Sequence, residues 1–442
     1  MKLSKRNIVA FVMSLWLIVP VALACRVGYA YQEVREIPAQ VLATVPFAQE
    51  TGNIAMSLAT GQGFSSPTRR NTGPTAWLPP IYPALIAAIF RVFGIFTLHA
   101  FYAAAGLNIL CSTAACVPIY FAGKRIAGIG VASLAAWLWV FFPSAVVMPF
   151  QWIWETSLSA LLAATILWAT IALSESGRTR DWIGYGFLWG LSLLTNPALG
   201  AALPFLLAWL AYRDRREPKV PGPFAKPGLA LGVAILCCVP WTIRNYAEFH
   251  RLIPLRSNFP FELWLGNNEV FDPHSLDINA RVTRYEQARL YSQLGETAFM
   301  RERWNLAADF IRTHKRLELR LTWWRFMSFW LGSFRPLQDF ARAETWLQAV
   351  LVLSLLTGIG SAIGIVVLWL KRSLYALPIA AFILPFPLVY YITHASLRYR
   401  HPIDPIVLIS TAVAILGARR KTPPSAPPQQ GHVAAPAGAP AI

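Results

Sequence analysis

Long apolar runs, separated by short basic loops, dominate the chain. Residues 8–25, 98–123, 128–149, 157–173, 228–243, 347–370, 374–393 and 403–417 carry almost no charge. A membrane span needs roughly 20 such residues. In lipid, a span must satisfy its own backbone hydrogen bonds, so each run reads as a helix. The pattern predicts an all-α polytopic membrane protein with about ten transmembrane helices.

Charge sets the expected orientation, because Lys and Arg concentrate in cytoplasmic loops. The basic loops hold Lys124-Arg125, Arg178 and Arg180, Arg213 to Arg216, Lys371-Arg372, and Arg419 to Lys421. All of them share a side with Lys2, Lys5 and Arg6 only if the apolar stretch 77–96 does not cross. That stretch opens Trp-Leu-Pro-Pro-Ile-Tyr-Pro and carries Arg91, as expected of a helix lying in the interface. The chain then divides into a first span (1–28), a first outer loop with two interfacial helices (29–97), and spans two to seven (98–243). An outer or interfacial segment (244–345), spans eight to ten (346–418) and a Pro/Ala-rich, disordered cytoplasmic tail (419–442) complete it.

Composition narrows the class. Of 442 residues, 56% are hydrophobic and 14% charged, well below the quarter of charged residues usual in soluble domains. The net charge of +18 fits a membrane surface, since the positives cluster at helix ends and no nucleic-acid motif accompanies them. The 18 tryptophans suit interfacial belts. Cys25, Cys111, Cys116, Cys237 and Cys238 lack zinc-site or disulfide spacing and read as packing residues.

Candidate chemistry gathers on the outer segments. Glu50 begins a helical pattern over residues 51–59, where the helix dipole favours a carboxylate anion, the form a general base needs. Glu155 sits at the outer mouth of span four. Arg69, Arg70, Arg244, Arg398, Arg400 and His401 are outer cations. A planar guanidinium suits phosphate, and the Arg398–His401 cluster defies the positive-inside tendency. Asn267, Asn268, Glu269 and Tyr82 lie among aromatic and polar residues suited to sugar hydroxyls. P-loop, zincin, Rossmann and nucleophile-elbow motifs are missing.

Four stretches resemble the GT-C class of membrane glycosyltransferases, most closely the bacterial relatives of the protein O-mannosyltransferase and aminoarabinose-transferase group. They are Glu50 with Ile54 to Ser65; Pro74 to Pro83; Trp241–Tyr246 with Ser257–Glu269; and Leu397 to Pro402. The resemblance implies a GT-C helical bundle whose donor is a polyprenyl-phosphate-linked sugar. It implies inverting transfer to a glycan, lipid or protein acceptor at the periplasmic face of a bacterial inner membrane. On that footing Glu50 takes the acceptor proton, Glu155 is the second acid, and Arg69, Arg70, Arg244, Arg398, Arg400 and His401 hold the lipid phosphate. Glu33 and Glu36 remain alternative bases. No cofactor is required, and the sequence leaves a divalent metal open. Membrane lipids, not nucleic acid, are the expected surroundings. A lipid-linked-sugar flippase and a non-catalytic polysaccharide-assembly subunit are the competing classes.

Overall fold

The computed structural model describes residues 12–47, 49–68, 71–214, 224–269, 286–332 and 345–417. Its regular elements there are helices, and the only pairing of β type among them is one isolated bridge between Ser65 and Pro74.

Five of these helices are long and apolar enough to cross a bilayer: Leu15–Glu36, Leu98–Ala127, Thr156–Leu173, Ala225–Phe249 and Leu347–Leu370. Ile129–Phe141 and Pro143–Gln151 form a sixth run bent by 43°. The bend falls where Pro143 opens the second helix and cannot donate a backbone hydrogen bond. The remaining expected spans are shorter: Thr179–Leu193, Pro197–Arg213, Ala376–Ile392 and Asp404–Leu416.

These runs join two distinct ends of a bundle. At one end, Arg125 pairs with Glu175 at 2.7 Å. Arg125, Glu175 and Arg213 all lie near Tyr375. The Trp209 indole donates to the Leu374 carbonyl (2.9 Å), and Gly417 abuts Lys371. The basic loops at 124–125, 213 and 371 thus share one end, which we call the basic end.

The stretch 77–96 forms the helix Ile81–Phe93, 13 residues long and well short of the roughly 20 needed to cross. Both of its ends lie at the end opposite the basic loops. Its first amide donates to the carbonyl of Leu194, where a helix arriving from the basic end stops. Its last turn leads through Thr97, which caps the helix running back toward Arg125. The helix buries Tyr82, Pro83, Ile86, Ala87 and Phe90, largely against the Gln49–Ala59 helix. It leaves Leu85, Val92 and Phe93 exposed, as an interfacial helix would.

Between the ends, packing uses small residues. Lipid supplies no hydrophobic drive between helices, so close van der Waals approach must replace it. A Cβ on Gly364 would sit 1.9 Å from the Ser410 carbonyl oxygen, and one on Gly186 would lie 2.6 Å from that of Ala230. Across the first contact, Ser410 and Thr411 hydroxyls donate to the carbonyls of Ser361 (2.7 Å) and Thr357 (3.0 Å). Arg26, an intramembrane cation fully buried in the first helix, donates to Ser112 Oγ (2.8 Å) and to the carbonyls of Ala22 and Trp139 (2.9 and 3.3 Å). All five cysteines are free thiols.

The arrangement makes a topological prediction. A reporter inserted after Gly94 should read as extracytoplasmic and one after Arg372 as cytoplasmic, by thiol labelling in intact cells. A cytoplasmic reading after Gly94 would contradict the interfacial placement of Ile81–Phe93.

Candidate functional site

The site lies at the end opposite the basic loops. The chain segments there are far apart in sequence, and buried polar groups hold them together. Arg244, at the end of the Ala225–Phe249 helix, donates to the carbonyls of Thr75 (2.6 Å) and Phe64 (2.7 Å). Its guanidinium lies over the rings of Trp241, Phe64 and Phe249. Glu296 grips the same strip from the other side. It accepts from Thr75 Oγ1 (2.5 Å), the Ala76 amide (2.8 Å) and Tyr291 Oη (2.7 Å). Burial and the Glu296 charge push the Tyr291 phenol far above its ordinary value. The first outer segment is therefore clamped at residues 64–76.

A second junction brings 259–269 against 391–394. Arg325 Nη2 donates to the Gly266 carbonyl (2.6 Å) and to Asn267 Oδ1 (2.9 Å). Its Nη1 reaches Glu318 (2.8 Å) and the Tyr391 carbonyl (3.1 Å). Asn267 Nδ2 donates to the Ile392 carbonyl (2.8 Å). Gly266 packs so tightly that a Cβ would fall 1.7 Å from the Thr393 oxygen.

This junction sets Glu262 beside His394, with Oε2 and Nε2 2.6 Å apart. Burial opposes ionisation of Glu262, but the hydrogen bond and charge of His394, with the charges of Arg256 and Arg398, outweigh it and hold the carboxyl below its usual range. A depressed carboxyl stabilises the fold above its unfolded value and loses that contribution as pH falls through the folded one.

Arg398 stands at the centre. Its guanidinium lies 3.6 Å from the Trp154 ring centroid and 4.6 Å from that of Tyr399, and Nη2 donates to Tyr399 Oη (2.7 Å). Trp152 stacks on the other face of Trp154 (4.6 Å, 10°). Tyr399 stacks on Tyr390 (4.8 Å, 16°). Burial, outweighing the Arg398 charge, pushes the Tyr399 phenol up to about 12. Among the described residues neither Arg398 nor Arg256 forms a salt bridge. Aromatic walls hold the Arg398 fork flat, a geometry suited to binding an oxyanion edge-on.

The segments that carry the two proposed acids are joined by one backbone contact. Glu50 lies in the first turn of Gln49–Ala59 and is half-buried. Glu155 precedes the first turn of Thr156–Leu173, close enough to Tyr82 and Tyr390 for its charge to act on both. The Ile153 amide donates to the Pro46 carbonyl (2.7 Å), tying the approach to Glu50 to the approach to Glu155. Glu33 lies at the end of the first helix, hydrogen-bonded with Tyr29, and Glu36 is exposed at the last turn.

Several expected ligands are engaged elsewhere. Arg400 is buried. It donates to Asp404 (2.7 Å), the Trp330 and Ser354 carbonyls (2.9 and 2.7 Å) and Thr357 Oγ1 (2.6 Å). His401 is also buried. It stacks on Trp139 with Nδ1 3.2 Å from Ser144 Oγ. Both side chains are turned into the bundle, away from the Arg398 stack. Arg244 is the loop clamp described above, with two of its nitrogens engaged by backbone carbonyls. Tyr82 is buried, its hydroxyl donating to Asn108 (2.9 Å). Asn267 belongs to the Arg325 junction, and Asn268 donates back to the Trp264 and Leu265 carbonyls. Glu269 is exposed at the helix end. Arg69 and Arg70 lie outside the described residues. Sequence reading assigned no role to Glu296, Arg325 or His394; it placed Arg256 only among the outer cations and Glu262 only within the polar and aromatic 257–269 stretch. Among the described residues no three His, Cys, Asp or Glu side chains cluster as metal ligands would.

Residues 78–243 match the family model of dolichyl-phosphate-mannose-protein mannosyltransferases. Over this stretch the chain resembles the GT-C class of membrane glycosyltransferases. The matched stretch includes Tyr82, Glu155 and the Ile81–Phe93 helix. No curated protein matches the chain by sequence. Among solved structures, the chain is similar to the Archaeoglobus fulgidus oligosaccharyltransferase complexed with Zn and sulfate (12% identity, 90% of this chain and 48% of that one, TM-score 0.49). It is also similar to ArnT from Cupriavidus metallidurans bound to undecaprenyl phosphate (14% identity, 86% and 78%, TM-score 0.38). The chain spans about half the length of the oligosaccharyltransferase.

Replacing Arg325 by Lys keeps the charge and loses the fork, so it leaves Gly266, Asn267 or Tyr391 without a donor. The expected result is a destabilisation of about 1–3 kcal/mol, read as a lower thermal-unfolding midpoint in detergent. An unchanged midpoint would contradict the role given to this junction.

Proposed function

We propose that the chain transfers a sugar from a polyprenyl-phosphate donor to an acceptor hydroxyl or amine, with inversion. The reaction would take place at the periplasmic face of a bacterial inner membrane. The observation that carries this reading is the aromatic-clamped Arg398 against Trp154, next to Glu155 at one end of the helical bundle. The family match of residues 78–243 supports the donor class.

A further feature suits a lipid-linked donor. A groove of about 1060 Å³ runs along the bundle, lined by Trp209, Phe326, Trp330, Ile359, Ala381 and Tyr391 among others. Its walls are almost wholly apolar, as an isoprenoid chain requires. One mouth is framed by Trp330 and Tyr391, joined by a 2.6 Å hydrogen bond, next to Tyr390 and the Arg398 stack. A tail in the groove would bring its phosphate to the site end.

In this mechanism Glu50 accepts the acceptor's proton as the acceptor heteroatom attacks the anomeric carbon. The bond from that carbon to the phosphate oxygen breaks, and its electron pair leaves with the phosphate. Arg398, with Arg256 beside it, stabilises the developing charge in a site partly shielded from water. Glu155 orients the acceptor from the opposite wall. The sugar and the acceptor class follow from contacts beyond these residues.

Replacing Glu50 by Gln should lower transfer by roughly 10²–10⁴-fold, the usual contribution of a general base. Donor binding should be little changed. The assay is transfer by purified protein from a panel of polyprenyl-phosphate sugars. Undiminished transfer would remove Glu50 as the base. Wild-type protein that moves lipid-linked sugar across vesicles yet transfers none would overturn the enzymatic reading.

A further inference from the structure

A second cavity, of about 680 Å³, opens at the basic end. Trp209, Tyr212, Trp369, Arg372, Ser373 and Leu377 are among its lining residues. Trp209, Tyr212 and Leu377 also line the long groove, so the two spaces share a wall. From there Leu377, Ala380, Leu384, Leu388 and Tyr391 follow at helical spacing toward the site end. Leu377, Leu384 and Leu388 are exposed, so in a membrane the groove opens sideways to lipid.

Local structure brings two arginines to this cavity. The Leu347–Leu370 helix closes with the Ser373 amide donating to the Leu368 carbonyl (2.8 Å) and the Arg372 amide to that of Trp369 (2.8 Å). This closure needs a left-handed residue at position 372, a place usually taken by glycine. Here it holds Arg372, at φ 52°, which puts a guanidinium in the cavity wall. Among the described residues Arg372 forms no salt bridge. Arg213, near the end of Leu203–Asp214, lies over the Trp209 ring, 5.7 Å from its centroid. The acids of this end are engaged elsewhere: Glu175 pairs with Arg125, and Asp181 lies beside Arg180.

An apolar trough open to lipid, with guanidinium groups at one end, matches a phospholipid. Acyl chains pack against the aliphatic wall by van der Waals contact. A planar fork gives a phosphate two parallel charge-assisted bonds, and basic pockets between helices at a membrane surface hold anionic headgroups. We propose that the cavity binds one anionic glycerophospholipid from the leaflet at the basic end. Its phosphate rests on Arg372 and Arg213, and its acyl chains enter the groove past Leu377. The inference does not rest on the sugar-transfer reading, because it concerns the opposite end of the groove. A lipid held there leaves the part beside Trp330 and Tyr391 open to the carrier.

The test is native mass spectrometry of the full chain in detergent, titrated with phosphatidylglycerol or with phosphatidylcholine of the same acyl chains. One phosphatidylglycerol should be retained in preference to phosphatidylcholine. R372G should lower phosphatidylglycerol affinity about fivefold, roughly the contribution of one arginine near an anionic lipid, and leave phosphatidylcholine unchanged. Glycine suits the left-handed position, so this variant keeps the helix closure and its loss reports on the side chain. R213Q should lose a similar amount, and R372K less, since it keeps the charge without the fork. R180Q removes a charge that is 76% exposed at the same end and outside the cavity, and should change nothing. Equal retention of the two lipids, or an unchanged R372G, would overturn the proposal. An equal loss in R180Q would show diffuse surface attraction and overturn it as well. Competition by glycerol phosphate would reveal a free-anion site, and competition by undecaprenyl monophosphate that R372G abolishes would seat the carrier's phosphate here; either result contradicts the phospholipid assignment. Selective retention without sugar transfer would sink the proposed function and leave this site standing. Transfer without selective retention would do the reverse.

Discussion

The site end of the bundle depends on where one guanidinium places its donors. Arg325 reaches Gly266 and Asn267 on one side and Tyr391 on the other, across sequence separations of 59, 58 and 66 residues. These are carbonyl and amide oxygens at helix ends, which carry no partner within their own helix. In a buried setting an unmet carbonyl is costly, and a five-donor fork meets several at once. Glu318 supplies the counter-charge. The absence of a side chain at Gly266 lets the two backbones close to contact. Glu262 and His394 face each other as a consequence.

The same device recurs. Arg244 fixes the first outer segment through two carbonyls, Arg400 fixes the Trp330 and Ser354 carbonyls at the mouth of the Asp404–Leu416 helix, and Arg26 ties the first helix to two others. In a membrane protein, cations at these depths are expensive unless each donor has a partner. Those partners make the arginines structural. Arg398 differs because aromatic rings cover its faces and, among the described residues, it forms no salt bridge, although the Glu262 charge lies within reach. Its field is therefore directed into the site.

Much of the bundle was legible in the sequence, because apolar runs and basic loops report directly on lipid and on orientation. The placement of 77–96 was argued from charge, since crossing would turn Lys124-Arg125 and most later basic loops outward, and the chain there forms a helix of 13 residues. The site was legible only in outline. Glu50, Glu155 and Arg398 were assigned to one face, and the structure sets them at one end. Arg398, Arg400 and His401 were read as one cluster, and the structure parts them. On a helical turn, residues two apart point about 200° apart, so Arg398 faces the aromatic wall and Arg400 enters the core. Linear spacing does not reveal which neighbour turns inward. Nor does it reveal Glu262 with His394, 132 residues apart, or Glu296 with Thr75, 221 apart. Those pairings are products of the Arg325 and Arg244 junctions, not of local pattern.

The central claim is that the aromatic-clamped Arg398 receives the donor's phosphate at the end of the apolar groove. Its most direct test is an experimental structure of the protein in nanodiscs with undecaprenyl phosphate. The account predicts phosphate density within hydrogen-bonding distance of the Arg398 guanidinium, with the isoprenoid chain lying in the groove that Trp330 and Tyr391 help to line. Phosphate seated at the basic end near Arg372, or density confined to a surface remote from Arg398, would contradict it.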